Sequence, residues 1–357
     1  MKKILTIVGA RPQFIKAAPV SQQLRKYFKE MIVHTGQHYD KNMSQLFFEE
    51  LDIPQPDINL EIGSGNHGEQ TGRMLAAIEQ EIFKQTPDMV MVYGDTNSTI
   101  AGALAASKCT IPIVHVESGL RSFNRSMPEE INRVLTDRIS DLLLCPTQTA
   151  VDHLAAEGIT QNVYLTGDVM FDAALRFAEM AKIKSEIIKE LFLKPKEYIL
   201  VTCHRPQNTD DPEILAEIVD ALIASGRELV FPVHPRAKSF LTRFGLFEKL
   251  NVQNVHLIEP VGYLDMIQLE KNAEKIVTDS GGVQKEAYFF AVPCITMRPE
   301  TEWVETVTDG WNVLVDHDKE KIINAITDFT PQQKRSDHYG NGNASEKITD
   351  IIKAALG

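Results

Sequence analysis

Short apolar runs recur along the whole chain, with segments of helix length between them. Continuous apolar runs are typical of strands that are buried on both faces of a parallel sheet, and strands alternating with helices form βαβ units. Six runs lie in the first half, at 3–9, 31–36, 89–94, 111–117, 142–146 and 163–167, and six in the second, at 198–203, 228–234, 255–260, 275–279, 293–297 and 311–315. Twelve strands would make a very large single sheet, so the pattern predicts two six-stranded, doubly wound sheets.

The break between the two predicted sheets falls between 167 and 198. Residues 171–193 have a helical pattern rich in Ala, Lys and Glu, and it ends before Pro195, since a residue preceding proline disfavours helix. We therefore expect an α/β protein with a Rossmann-like domain over 1–170 and a second over 171–343. The segment 344–357 carries apolar residues at a helical spacing and predicts a surface helix.

Composition narrows the class of protein. The chain has 357 residues, of which 43% are hydrophobic and 24% charged, as in a soluble globular protein. No apolar stretch approaches the roughly 20 residues of a membrane span, and residues 4–9 predict a first strand rather than a signal peptide. The four cysteines are far apart, and the net charge is −12. We expect a cytoplasmic protein with reduced cysteines, no membrane insertion and no nucleic-acid partner.

Carboxylates follow two of the predicted strands. Asp95 comes after the run 89–94, and Glu117 ends the run 111–117. Glu129 and Glu130 follow in a segment that also contains Arg133. Because α/β proteins bind ligands beyond the carboxyl ends of their strands, we expect Asp95, Glu117 and Glu129 to gather at one crevice beside arginines. This arrangement indicates acid/base chemistry on an anionic substrate.

A second pattern indicates a phosphate site. The run 275–279 leads into Ser280, Gly281 and Gly282 and then a helix-like segment. Glycines let the backbone approach an anion, and the N–H groups at a helix start face it. Glu286, further along the helix, would accept hydrogen bonds from ribose hydroxyls. The alternative interpretation is a tight turn that binds nothing.

Basic residues and histidines also follow strands. Arg11 and Lys16 lie in GARPQFIK after the first strand, where they either grip a diphosphate or form a solvated first turn. His204 and His234 both end predicted strands, which favours a functional interpretation over a structural one. Neither HxH nor HExxH occurs, so we expect no metal. In residues 301–306, TEWVET, the tryptophan either forms a wall against a sugar or closes the hydrophobic core. Residues 61–73 form either a cover over the crevice or a surface loop.

The motifs GARPQFIK, HTGQHYD, VYGDTN, HVESGLRS, MPEEINR, TCHR, PVHP and TDSGG occur in this order and resemble those of the non-hydrolysing UDP-N-acetylglucosamine 2-epimerases. The resemblance covers residues 3–357. It implies a glycosyltransferase-B fold, with two Rossmann-like domains, an active site in the cleft and a C-terminal helix that packs back on the first domain. It also implies a UDP-sugar substrate, a homodimer, and elimination and re-addition of UDP with inversion at C2.

The resemblance assigns roles to residues. Catalysis is implied for Asp95, Glu117, Glu129 and His204. Substrate binding is implied for a set that collects the basic and glycine-rich positions above: Arg11, Lys16, Arg133, His234, Ser280, Gly281, Gly282 and Glu286. Contacts to a second, regulatory UDP-sugar are implied for Gln37, His38, Glu130 and Arg205.

The chain also departs from the family pattern. It has HRPQN at 204–208 where UDP-N-acetylglucosamine enzymes typically have HRREN, and TEWVE at 301–305 where they have TERPE. Residues 63–68 lack an arginine expected for the regulatory site. ETEWVET, GARPQFIK and HGEQTGRM are more similar to the branch acting on UDP-2,3-diacetamido-2,3-dideoxyglucuronate. The substrate is therefore expected to be one of these two UDP-2-acetamido sugars.

Two other classes of function compete. A glycosyltransferase of the same fold would use a UDP-sugar donor and an acceptor, and a catalytically silent protein would only sense UDP-sugars. Three clustered carboxylates are more than such a transferase usually needs, and the complete catalytic set argues against a sensor. No GxGxxG directly follows a predicted strand, and no redox cofactor is expected.

Overall fold

The computed structural model describes residues 1–37 and 48–357. These residues form two compact units. Unit 1 comprises Met1–Arg176 and Asp337–Gly357, and unit 2 comprises Phe177–Ser336. His38, expected at a regulatory site, lies outside the described residues.

The elements alternate between strand and helix in both halves. The first half contains β1 (Lys3–Val8), α1 (Arg11–Leu24), β2 (Lys29–His34), β3 (Ile58–Asn59), α2 (His67–Gln85), β4 (Met89–Tyr93), α3 (Asn97–Lys108), β5 (Ile113–Val116), α4 (Pro128–Ile139), β6 (Leu142–Cys145), α5 (Gln148–Ala156), β7 (Val163–Leu165) and α6 (Val169–Lys184). The second half contains α7 (Ile187–Glu190), β8 (Ile199–Thr202), α8 (Pro206–Thr209), α9 (Pro212–Ala224), β9 (Leu229–Pro232), α10 (Pro235–Arg243), a 3₁₀ turn (Glu248–Leu250), β10 (Val255–Ile258), α11 (Tyr263–Asn272), β11 (Lys275–Thr278), α12 (Gly281–Phe289), β12 (Cys294–Thr296), α13 (Val304–Thr308), β13 (Asn312–Leu314), α14 (Lys319–Asp328) and α15 (Ala344–Leu356).

Unit 1 is built on a parallel sheet with the strand order β3-β2-β1-β4-β5-β6-β7. All six strands expected in the first half are present, but the expected count is wrong by one. The additional strand, β3, has two residues, which pair with Val33 and His34 of β2. A two-residue edge strand is too short to show an apolar run, so the sequence pattern gave no signal for it.

Small residues bring helix α3 close to the sheet of unit 1. A Cβ atom at Gly102 would lie 3.1 Å from Val92 and 3.2 Å from Ile7. Ala101 and Ala105 of the same helix are fully buried in this core. The close approach buries both faces of the central strands, which explains why those strands are continuously apolar.

The C-terminal helix α15 belongs to unit 1. The carboxylate of Asp172, on α6, accepts hydrogen bonds from the N–H groups of Ala344 and Ser345 at 3.0 and 2.8 Å, and from the Ser345 hydroxyl at 2.6 Å. These are first-turn donors that lack partners within a helix, so Asp172 fixes the start of α15.

Unit 2 is a six-stranded parallel sheet with the order β10-β9-β8-β11-β12-β13. Its six strands confirm the expectation for the second half. Ile199 and Val201 of β8 pack in one apolar cluster, whereas Leu200 packs in another. Successive side chains of a strand point to opposite faces, so helices cover both faces of this sheet.

The continuous helix expected over 171–193 is wrong. Helix α6 ends at Lys184 and a separate short helix begins at Ile187. Between them the Ser185 hydroxyl donates to Asp265 at 2.6 Å, and its oxygen accepts from the Ile187 N–H at 3.4 Å. A serine side chain that bonds locally in this way competes with the helical hydrogen bonds.

Candidate active site

In each sheet the strand order reverses direction once, between β1 and β4 in unit 1 and between β8 and β11 in unit 2. Crevices at such switch points, beyond the carboxyl ends of the strands, are where doubly wound proteins bind ligands. The predicted site residues follow these strands or their neighbours in both units. Each unit therefore carries its own candidate set.

Gln13 joins the two strands of the unit 1 switch point. Its amide oxygen accepts from the N–H groups of Gly9 and Ala10 at 2.8 and 3.1 Å. Its NH₂ group donates to the Tyr93 carbonyl at 2.7 Å and to the Thr99 hydroxyl at 3.0 Å. Sequence analysis missed Gln13, although a polar residue between Pro12 and the apolar pair Phe14 and Ile15 was a signal for it.

Lys16 and Glu117 form an ion pair at this edge of the sheet. Both side chains are largely buried. Glu117 directly follows β5 with a φ of +70°, a left-handed conformation that is uncommon outside glycine. Gly94 leaves room for the pair, because a Cβ atom there would lie 3.2 Å from the Glu117 carboxylate and 3.5 Å from the Lys16 ammonium.

Asp95 is held by Arg133 of helix α4. The guanidinium forms ion pairs with the carboxylates of Asp95 and of Glu130, the second at 3.1 Å. Asn132 donates to the Asp95 carbonyl at 2.9 Å. Burial opposes the charge of Arg133, but Asp95, Glu130 and Glu117 outweigh it and raise the pKa of the guanidinium. Asp95 and Glu117 thus converge on one cationic side chain.

The two adjacent glutamates of α4 differ. Glu130 is buried and accepts from the N–H and the hydroxyl of Ser122, both at 2.9 Å, and from the N–H of Phe123 at 3.0 Å. It therefore fixes the loop before α4. Glu129 is exposed and forms no hydrogen bond or ion pair with another described residue. The structure therefore brings Asp95 and Glu117 together, whereas Glu129 points to solvent. Arg11, a predicted substrate-binding residue at the start of α1, is exposed as well.

A buried histidine supports the turn that carries Asp95. His115 Nδ1 lies 2.7 Å from Asp137 Oδ1, and His115 Nε2 lies 2.8 Å from the Gly94 carbonyl oxygen. A carbonyl only accepts, so Nε2 donates. Asp137 also accepts from Arg121 at 2.7 Å. Sequence analysis treated His115 as part of a strand and missed this network; an imidazole within an otherwise apolar run was the available signal.

The remaining expectations of unit 1 concern the loops. The Gln37 amide oxygen accepts from the N–H and the hydroxyl of Ser98, at 3.2 and 2.7 Å. The segment 61–73, expected to be a cover or a surface loop, becomes helical at His67, where α2 begins. Asn97 donates to Gln70 at 2.9 Å, so the start of α2 packs against α3. Ser98 and Asn97 lie on the first turn of α3, next to Asp95.

In unit 2, Ser280 caps helix α12. Its hydroxyl accepts from the Val283 N–H at 3.5 Å, and its own N–H donates to the Thr278 hydroxyl at 2.9 Å. A Cβ atom at Gly281 would lie 2.6 Å from the Glu302 carboxylate, so any other residue here would displace that side chain. Gly282 follows at the helix start, as expected for an anion site.

The segment after β12 packs against this loop. Glu302 pairs with Arg298 at 3.0 Å, and although burial opposes ionisation, Arg298 and Arg205 lower the pKa of Glu302. Trp303 is buried, with the Lys285 ammonium 4.0 Å from its ring centroid. Trp303 was expected either to form a wall against a sugar or to close the hydrophobic core, and its burial supports the second interpretation.

His204 and His234 face each other, with ring centroids 5.3 Å apart. Asp279 accepts from the N–H groups of His204 and Arg205, both at 2.9 Å, and thereby fixes the loop after β8. Burial and the charge of His204 lower the pKa of His234. Both rings line a cavity of about 240 Å³, whose other walls include Val261, Met266, Ser280 and Val283.

Glu286, predicted to receive a ribose, is buried on α12. The Tyr263 hydroxyl donates to its carboxylate at 2.6 Å. Burial raises the pKa of Glu286 to about 7, although Tyr263, Lys285 and Glu270 oppose the shift. Neither Tyr263 nor Glu270 was identified from the sequence.

Within residues 1–37 and 48–357, no group of three or more His, Cys, Asp or Glu side chains is arranged to hold a metal ion. None of the helices in the described part of the chain has the length and apolar character that crossing a membrane requires.

Two Rossmann-like units with polar residues at both switch points define an α/β protein of the glycosyltransferase-B fold class. A family model described as UDP-N-acetylglucosamine 2-epimerase matches residues 22–353. The chain belongs to this family.

Close relatives cover the chain almost completely. A UDP-N-acetylglucosamine 2-epimerase homolog of Methanococcus maripaludis is 57% identical over 98% of this chain and 99% of its own length. The UDP-2,3-diacetamido-2,3-dideoxy-D-glucuronate 2-epimerase of Pseudomonas aeruginosa is 51% identical over 98% of this chain and 99% of its own length. The crystal structure of the Methanocaldococcus jannaschii UDP-GlcNAc 2-epimerase with UDP-GlcNAc and UDP is 46% identical, with a TM-score of 0.88 over 99% and 100% of the two chains.

Proposed function

We propose that the protein is a non-hydrolysing UDP-sugar 2-epimerase that inverts C2 of a UDP-2-acetamido sugar and supplies a precursor for surface polysaccharide. The observation that carries the proposal is the pair of carboxylates at one switch point, Glu117 with Lys16 and Asp95 with Arg133. Such a set suits proton transfer at a carbon next to a departing anion.

The chemistry explains why a carboxylate and cations are needed together. The C2 proton is not adjacent to a carbonyl, so simple deprotonation is difficult. When the C1–O bond breaks, its electrons leave with UDP and C1 becomes cationic, which acidifies C2–H. A carboxylate takes the proton as the C1–C2 double bond forms. UDP oxygen then adds back to C1, and a proton returns to the opposite face of C2.

The two units divide these tasks in the proposal. The N-terminal domain carries the carboxylates Asp95, Glu117 and Glu129, which serve proton transfer. The C-terminal domain holds UDP: Ser280, Gly281 and Gly282 receive phosphate and Glu286 the ribose, and the cavity beside His234 and Val261 fits an apolar ring face. Arg11, Lys16, Arg133 and His204 counter the charge that develops on UDP. Gln37, His38, Glu130 and Arg205 are proposed contacts to a second UDP-sugar.

Two sugars fit the family membership. Relatives at 45 to 51% identity are named for UDP-N-acetylglucosamine and for the diacetamido glucuronate derivative. Trp303 lies directly against the phosphate loop, where a Cβ atom at Gly281 would come within 3.4 Å of its indole nitrogen. This supports a pocket that differs from that of enzymes with TERPE at the same place.

We also propose a homodimer in the cytoplasm. Phe123, Ile131, Val134 and Leu135 are large apolar side chains that are exposed around one groove of about 560 Å³ on unit 1. A contiguous apolar patch of this kind marks an interface. The four free cysteines support a reducing compartment. Light scattering of the wild type and of Leu135→Glu measures the assembly, and a monomeric wild type would contradict it.

The test offers both sugars separately and follows C2 configuration by NMR. Conversion between gluco and manno forms, with UDP still attached, supports the proposal. Release of free sugar and UDP identifies a hydrolysing enzyme instead, and turnover only with an added acceptor identifies a transferase. The sugar that is turned over faster is the substrate, and inactivity with both contradicts the function.

A further inference from the structure

Two carboxyl groups meet in the interior of unit 2. Glu270 lies on α11 and is 0% exposed, and Glu286 lies on the adjacent α12 and is 5% exposed. Glu286 accepts a hydrogen bond from Tyr263. Both carboxyl oxygens of Glu270 are fully buried, and no donor of the described residues reaches either of them. An ionised carboxylate in this position would have neither a donor nor a counter-ion, which is very costly.

A proton on Glu270 resolves this situation. Two carboxyl groups in contact cannot both be ionised, and one proton held between them satisfies both. With the proton on Glu270, its O–H would donate to Glu286, and the interaction between the two side chains raises the pKa of Glu270 and opposes the rise in the pKa of Glu286. Burial, followed by the neighbouring charge of Glu286, raises the pKa of Glu270 well above its ordinary value.

The surrounding groups do not supply another partner for Glu270. The hydroxyl of Tyr198, which precedes β8, donates to the Leu269 carbonyl at 2.6 Å and not to Glu270. Cys294, on β12, is a further neighbouring group whose pKa the charge of Glu270 influences. Burial raises the pKa values of Tyr198, Tyr263 and Cys294, so all three are neutral near pH 7. Lys285, next to Glu286 in the chain, is the cation that favours ionisation of Glu286.

We infer that Glu270 is a protonated positioning residue, which donates a hydrogen bond to Glu286 and holds that carboxylate ready for the ribose hydroxyls of a uridine nucleotide. The contact of Glu286 with the nucleotide rests on the proposed function; the shared proton does not. No catalytic role is assigned to Glu270, because it reaches the ligand only through Glu286.

The inference makes nucleotide affinity depend on pH in a defined direction. Ribose hydroxyls donate to an ionised Glu286, so affinity falls as the pH drops through about 7, where Glu286 becomes protonated. Glu270→Met removes the donor, and the affinity loss should begin about one pH unit higher. Glu270→Gln keeps a donor in the same place, and its pH profile should stay near that of the wild type. If Glu270 were ionised instead, both substitutions would remove a negative charge and move the loss to lower pH.

The first experiment measures the affinity of UDP across the neutral pH range for the wild type, Glu270→Gln and Glu270→Met. Titration of UDP itself is common to all three proteins, so differences report the protein. An alkaline shift for Glu270→Met alone supports the inference. An acid shift for both variants, or an unshifted profile for Glu270→Met, overturns it, since a purely structural role would change stability without moving the profile.

The second experiment needs no nucleotide. At about pH 9, where Glu286 is ionised, the infrared carbonyl band of a protonated carboxylic acid should be present in the wild type and be lost in Glu270→Gln. Asp172→Asn is the matched control, because Asp172 is a buried carboxyl group of unit 1 whose pKa burial also raises; it should retain the band. A band that persists in Glu270→Gln overturns the inference. If that variant does not fold, absence of any such band in Asp172→Asn overturns it equally.

The two failures are distinguishable. A protein that epimerises a UDP-sugar but lacks the acid band keeps the proposed function and refutes the shared proton. A protein that shows the band but binds no UDP keeps the shared proton and refutes the proposed function.

Discussion

The ammonium group of Lys16 pairs with the carboxylate of Glu117, with side-chain exposures of only 14% and 6%. Lys16 comes from the helix after β1 and Glu117 from the end of β5, so two separate strand ends supply the pair. The ion pair holds the buried carboxylate in a fixed orientation, which is the first requirement for a general base. The φ of +70° at Glu117 aims the carboxylate back over Gly94.

Lys16→Met should abolish most of the activity without unfolding the protein. The substitution leaves Glu117 buried without its cation, and also removes a positive charge proposed to act on UDP. We expect kcat/KM to fall by about 100-fold or more. Steady-state kinetics, together with circular dichroism to confirm folding, checks this.

Lys26→Met is the control for the lost charge. Lys26 lies just beyond the same helix, is exposed, and donates to Gln23 at 2.6 Å. Its substitution should leave kcat/KM near the wild-type value. Equal activities of the two variants would show that the Lys16–Glu117 pair does not matter for catalysis.

Replacing His204 should change the titration of His234. The rings are 5.3 Å apart, and after burial the charge of His204 is the main cause that lowers the pKa of His234. In His204→Asn this repulsion is absent, so the pKa of His234 should rise towards the ordinary value of histidine. NMR titration of the ring protons measures it. His256→Asn, which changes a histidine paired with Glu228, should leave His234 unaffected; an unchanged His234 in His204→Asn would refute the coupling.

The repeating apolar runs predicted the strands because a sheet buried on both faces leaves its signature in every strand. Strand β3 and the break at Ser185 left no such signature. The first depends on pairing with residues distant in sequence, and the second on a hydrogen bond to Asp265. Both are tertiary features, which local patterns do not record.

The candidate site was predictable to the extent that its residues follow strand ends. Asp95, Glu117, His204 and Ser280 are predicted in this way, and the structure places each of them just beyond a strand. Residues that act through a partner in another element were not: an imidazole in an apolar run draws attention to His115, but its role follows only from Gly94 and Asp137, which lie beside it in the fold. Glu270 is the same case, since its significance comes from Glu286 on the neighbouring helix.

Lys275→Met should destabilise unit 2. The Lys275 ammonium is buried and donates to the carbonyls of Ala325, Ile326 and Thr327 at 3.3, 2.5 and 3.3 Å, at the C-terminal end of α14. These last carbonyls lack partners within the helix, and methionine would leave them unsatisfied. The expected loss is about 2–4 kcal/mol in the free energy of unfolding, measured with urea.

Lys196→Met tests whether burial decides this loss. Lys196 also donates to two carbonyls, of Lys271 and Ala273 at 2.8 and 2.9 Å, but the residue is exposed and water can replace it. Its loss should stay below about 1 kcal/mol. Similar losses in both variants would contradict the explanation.

The most direct test of the central claim follows hydrogen exchange at C2 of the UDP-sugar in D₂O. The account predicts that the wild type incorporates solvent deuterium at C2 as it epimerises. Glu117→Gln, which keeps the shape but removes the base, should lose exchange and epimerisation while still binding UDP. Epimerisation without deuterium at C2, or near-normal epimerisation by Glu117→Gln, would contradict the account.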